Sequence, residues 1–155
     1  MSTQFNIAKG RSAELVRKIM ANDPANSGLI IVLLKTTETD AVLADYDNLQ
    51  LVIDAAGNVE ADFTNYTRKV LGDADLALPV VDDGANTQSI AIPAVQYVSA
   101  GGTLDNTLVK GIVAYCPDIT AVVLANCIPI TAHDVAETTN GNNLNLNAGI
   151  ILTSS

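Results

Sequence analysis

His133 is the only histidine in the 155-residue chain, and Asp134 follows it directly. A histidine beside a carboxylate is part of a hydrolytic triad. Neighbours on a strand, however, project to opposite faces, and no G-x-S-x-G elbow supplies a nucleophile. His133 therefore reads as a hydrogen-bonding residue in a turn region. Cys116 and Cys127 are the only cysteines. With His133 they offer none of the C-x-x-C or H-x-x-x-H spacings that zinc uses. A tight turn over residues 117–120 places Cys116 near residue 121 and Cys127 near residue 110. The expectation is two buried free thiols that do not face one another. Asp73, Asp75, Asp82 and Asp83 have the right oxygen chemistry for calcium. Asp73-Ala74-Asp75-Leu76 nevertheless lacks the remaining ligands and the glycine of a calcium loop, so turn and capping roles are expected. No G-x-x-x-x-G-K-[ST] or G-x-G-x-x-G phosphate cradle occurs, and Gly101-Gly102 is an isolated pair. Aromatic residues are only 4% of the chain and tryptophan is absent. Stacking platforms for sugars or single-stranded nucleic acid are thus poorly supplied, and Tyr46, Tyr66, Tyr97 and Tyr115 read as core-edge residues. The chemistry-bearing residues point to a protein that is not an enzyme and needs no cofactor or metal.

The elements that position these residues are mostly strands. Leu15, Ile19 and Met20 fall at helical spacing after Ser12, a candidate N-cap, and Asn22-Asp23-Pro24 ends that helix. Residues 29–34 form a continuous Ile/Val/Leu run, the pattern of a buried strand. Val42, Leu43, Tyr46, Leu49, Val52 and Ile53 recur every three or four residues and predict one helix over 40–54, capped by Asp40. Strands then dominate: a short one over 67–71, one over 87–92 after the turn at 82–86, an extended stretch over 96–100, and two long ones over 108–116 and 121–130. The last two are read as a hairpin through 117–120 and as the centre of the sheet. Asn140-Gly141 marks another turn. Turns every 8–12 residues predict a mainly β, antiparallel body, sandwich, jelly-roll-like or barrel, with one or two short helices near the N-terminal side.

Size and charge narrow the function. A chain this long buries roughly 70% of its unfolded surface, enough for one core without a metal or disulfide staple. Apolar residues make up 48% and charged residues 16%. The longest apolar run has six residues, against about 18 for a membrane span. Residues 1–35 hold five basic and two acidic side chains, +3. Residues 36–155 hold three basic and fifteen acidic, −12. A body this acidic repels phosphate backbones, which argues against nucleic-acid binding. Residues 1–28 read as a mildly basic N-terminal arm with a short helix, and 29–155 as the β-rich body. Residues 1–10 contain no apolar signal core, so synthesis in the cytoplasm is expected.

Two blocks carry a family likeness. One is Asp62-Phe63-Thr64-Asn65-Tyr66-Thr67-Arg68-Lys69-Val70-Leu71, followed by Asp73-Ala74-Asp75-Leu76, Pro79 and Asp82-Asp83. The other runs from Ile92-Pro93 through Gly101-Gly102 to Asn126-Cys127-Ile128-Pro129-Ile130-Thr131-Ala132-His133-Asp134. With Asp45-Tyr46-Asp47, they resemble small virion structural proteins of tailed bacteriophages, encoded near the major capsid protein. The likeness covers about residues 29–153. The chain departs from it at Tyr97, where the group often has Trp, and at Cys116-Pro117, which replace an acidic turn. The resemblance implies a capsid decoration, or cement, protein on the outer surface of a phage head, non-enzymatic and homotrimeric. Its partners would be the major capsid protein and copies of itself, with neither nucleic acid nor membrane. Lys9, Arg11, Arg17 and Lys18 would then contact the acidic shell. The alternative is a head-fibre base or a host-surface, glycan-binding virion module.

Overall fold

Residues 29–34 are apolar at every position because the strand they form is covered on both faces. In the computed structural model, which describes residues 2–147 and 149–154 and the side chains up to residue 149, that strand sits inside the main sheet. Met1, Ala148 and Ser155 fall outside the described residues. In chain order the elements are β1 (Ser2–Gln4), α1 (Ser12–Met20), β2 (Gly28–Thr36), α2 (Asp40–Leu43), α3 (Leu49–Asp54), β3 (Val59–Glu60), β4 (Lys69–Leu71), β5 (Val80–Asp82), β6 (Thr87–Ile92), β7 (Val95–Tyr97), β8 (Thr107–Cys116), β9 (Ile128–Thr138), β10 (Leu144–Leu146) and β11 (Gly149–Ser154). Single 3-10 turns occupy Asn6–Ala8, Asp73–Asp75 and Leu124–Asn126. The fold is mainly β, its described strand pairs are antiparallel, and among the described residues no sheet closes into a barrel.

The main sheet runs β1-β9-β8-β2, with β3 and β4 sharing the far edge of β2. Successive side chains of a strand alternate faces. Ile30, Val32 and Leu34, with Ile112 and Ala114 beside them, pack against Leu43, Leu49 and Val52 of α2 and α3 and against Phe5. Leu29, Ile31 and Leu33, with Val113 and Tyr115, face Leu15, Val16 and Ile19 of α1 and the aromatic rings of Phe63 and Tyr97. A helical layer thus covers one face. The other carries α1 and a two-stranded sheet of β7 and β10. β11, β6 and β5 form a third, three-stranded sheet in that order.

Several expectations need correction. The N-terminal segment is no separate arm: β1 pairs with β9, and Phe5, Ala8, Leu15, Val16 and Ile19 are buried. Ser12 is not the cap of α1. Arg11 holds that position, and the Ser12 hydroxyl donates to the Ala8 carbonyl at 2.9 Å. The helix expected over 40–54 is two helices. Asp45, Asp47 and Asn48 prefer caps and turns; Asn48 Oδ1 accepts the Leu51 N–H at 3.0 Å and starts α3 afresh.

The fourth correction concerns β8 and β9. They are joined by residues 117–127, and the apolar stretch 121–124 is not strand. Asp118 closes the first turn, its Oδ1 accepting from Thr120 N and Oγ1 at 2.9 and 2.6 Å. β8 is paired along its length by residues 128–138 instead, which carries β9 beyond the expected end at residue 130. As a result Cys127 comes opposite Cys116, contrary to the expectation that the thiols are apart. Gly101-Gly102 has a packing role: Gly102 and Gly141 meet where two loops cross, and a Cβ on either would lie 3.3 Å from the Cα of the other.

Candidate functional site

His133 lies inside strand β9, not in a turn, and its Nε2 hydrogen-bonds the Thr131 hydroxyl at 2.9 Å. Burial holds its pKa below the usual histidine value, so the ring is neutral near neutral pH. It lines a cleft of about 290 Å³ whose walls include Ile31, Val95, Val113, Asn145 and Asn147. The hydroxyl that His133 meets, Thr131, is itself buried and does not line that cleft. Asp134 points to the opposite face. The suspected calcium carboxylates close turns: Asp82 Oδ1 accepts the N–H groups of Gly84 and Ala85 at 2.9 and 3.0 Å, and Asp75 Oδ2 accepts that of Gly72 at 2.9 Å. Among the described residues no group of three or more His, Cys, Asp or Glu is placed to hold a metal.

A charged cluster that the sequence did not single out sits on the helix-covered face. Lys110 is 4% exposed. Its Nζ donates to Asp40 at 2.6 Å and to Asp134, while Thr3 Oγ1 donates to the other oxygen of Asp40 at 2.8 Å. Burial alone would lower the lysine pKa, but the two carboxylates outweigh it and raise the value. Reciprocally, Lys110 lowers Asp40 and brings Asp134 down to about 2. The cluster ties β1, α2, β8 and β9 together. Its members are far apart in sequence, and a lone lysine in a strand carries no signal of two partners.

The Asp62–Leu71 block is an internal fastener. Along the edge of β2 a gap separates β4 from β3, and the Tyr66 hydroxyl fills it. Leu33 N–H donates to that hydroxyl at 3.1 Å, and the hydroxyl donates to Glu60 Oε1 at 2.9 Å. Arg68 grips both oxygens of Glu60, at 2.8 and 2.7 Å. Phe63, Tyr66 and Tyr97 pack with ring centroids 5.1–6.0 Å apart. Asp62 accepts from Lys35 at 2.6 Å, and Asn65, at a φ of +68°, donates to the Ser99 carbonyl at 2.9 Å.

The surface is where the chain offers something to a neighbour. Lys9, Arg11, Arg17 and Lys18 are all exposed. Arg17 and Lys18 lie on α1, where Lys18 pairs with Glu14 at 3.1 Å; Arg11 caps that helix, and Lys9 donates to Asn6 Oδ1 at 2.6 Å. β5 is the outer strand of its sheet. Val80 and Val81 point to opposite sides of it and are 65% and 61% exposed, and Leu78 before them is 73% exposed. An edge strand that is apolar on both faces and, among the described residues, unpaired along its outer side is a pairing surface. Sequence reading passed over it, although residues 76–81 form an apolar stretch running straight into the Asp82-Asp83-Gly84 turn. Among the described residues no helix is long and apolar enough to cross a membrane. Comparison with protein-family models, curated proteins and solved structures finds no match to this chain.

Proposed function

We propose that this chain is a capsid decoration protein that binds the outer surface of a tailed-phage head as a homotrimer and stabilises the shell without catalysing a reaction. The observation that carries the reading is the β5 edge. A body fastened throughout its main sheet holds out one strand whose apolar side chains meet solvent on both faces. Such a strand reaches its lowest free energy against a neighbouring subunit. The resemblance of two sequence blocks to phage virion proteins supports the setting, and the exposed Arg17 and Lys18 of α1 would complement an acidic shell. Standard interfaces bury about 800 Å² per partner, and many copies on one shell add avidity, so each contact can be weak.

The test is rebinding of purified chain to heads depleted of it. Wild type should rebind to saturation, and a Val80→Asp/Val81→Asp variant with an unchanged unfolding midpoint should not. Equal rebinding by both would remove the β5 edge from the account. Deleting the N-terminal residues is not a clean test of the basic face, because Phe5, Leu15, Val16 and Ile19 belong to the core. Arg17→Glu/Lys18→Glu is the better variant, with binding weakened and its salt dependence reduced.

A further inference from the structure

Cys116 ends β8, and Cys127 immediately precedes β9. The register pairs Tyr115 with Ile128, so the next position outward sets Cys116 opposite Cys127. Facing residues of antiparallel strands have Cα atoms about 4.5–5.5 Å apart, within the roughly 4.4–6.8 Å span of disulfides. The Cys127 N–H turns back to the Leu124 carbonyl at 3.1 Å, and its carbonyl accepts from Leu49 N at 2.9 Å. Its backbone bonds are thus spent away from Cys116, as in the closer kind of facing pair. Both residues are free thiols buried in the same apolar cluster. Each sulfur also touches the loop between them: Cys116 Sγ is 3.2 Å from the Asp118 carbonyl oxygen, and Cys127 Sγ is 3.4 Å from that of Val123.

We propose that Cys116 and Cys127 are a redox-modifiable pair, converted by a low-molecular-weight disulfide such as oxidised glutathione into an intramolecular disulfide that staples the base of the 117–126 loop. The Cys116 thiolate attacks one sulfur of the oxidant, giving a mixed disulfide and one released thiolate. Cys127 loses its proton to that thiolate and attacks the Cys116 sulfur, displacing the second. The proton first lost by Cys116 completes it. Two protein S–H bonds are replaced by one S–S bond, and the oxidant is reduced to two thiols. Cys116 is the attacking group, because the facing Cys127 thiol hydrogen-bonds its sulfur and holds its pKa below the usual thiol value. Residues 120–123, 125 and 126 are exposed, so local opening of this surface loop gives the oxidant access. The pair is a property of the fold and holds whatever surface the chain docks on.

The test equilibrates the full folded chain with oxidised glutathione, quenches with acid, and reads intact mass and a non-reducing digest. The expected result is the loss of two hydrogens, a cross-link between the peptides holding Cys116 and Cys127, and slower proteolysis within 117–126, all reversed by dithiothreitol. Three results would overturn the proposal: both thiols remaining alkylatable, a glutathione adduct persisting on one of them, or links forming between chains. The readout uses wild-type protein, so it does not depend on a variant that folds.

Discussion

The Asp62–Leu71 block and the β5–β6 hairpin follow one another in the chain and are built in opposite senses. In the first, polar groups turn inward: Tyr66 and Arg68, with Glu60 of β3, close a hydrogen-bonded gap in the main sheet, and three aromatic rings seal it. In the second, apolar groups turn outward, with Leu78, Val80 and Val81 facing solvent. The most distinctive stretch of sequence is therefore a fastener, and an unremarked run of small apolar residues is the surface with free-energy reason to meet a partner. Residues with the most distinctive pattern need not be the residues that touch a partner.

The contrast can be broken most severely at the core of the fastener. Phe63→Ala empties the aromatic cluster and should cost about 3–5 kcal/mol in urea unfolding. A loss no larger than that of a surface substitution would contradict the packing role. Tyr66→Phe keeps the ring but strands the Leu33 N–H and one bond to Glu60. It should cost about 1–3 kcal/mol with no change in m-value.

Acid sharpens the comparison next. Lys35 holds Asp62 below the usual carboxylate value, and Lys110 does the same for Asp40 and, to about 2, for Asp134. A depressed folded pKa contributes stability that is complete above the unfolded value of 3.8 and is lost as pH falls through the folded one. Unfolding midpoints should therefore drop between about pH 4 and pH 2, and Lys110→Met should flatten that drop. An unchanged pH slope in the variant would refute the Lys110 assignment. The smallest effect on stability belongs to the hairpin. Val80→Thr/Val81→Thr should shift unfolding by no more than about 0.5 kcal/mol while lowering self-association in sedimentation.

Where burial follows the period of an element, or covers both its faces, its sequence is transparent. The apolar run of β2 and the alternating and apolar positions of β8 announced themselves, as did the helical spacing of Leu15 and Ile19. What escaped was set by tertiary choice. The stretch 121–124 is as apolar as a strand, but β8 had a longer partner in residues 128–138, whose register alone brings the two thiols together. Leu43 and Leu49 satisfy one helical spacing, yet local caps at Asp45 to Asn48 divide the helix. Lys110 resembles any strand lysine until Asp40 and Asp134 arrive from distant segments. The basic residues were visible as charge; their exposure on a packed helix, in place of a loose arm, was not.

The most direct test of the central claim is where the chain resides in the particle. Heads separated from tails and measured by quantitative mass spectrometry should contain it in numbers comparable to the shell protein. Its recovery from the lysate alone, with none in mature heads, would contradict the account.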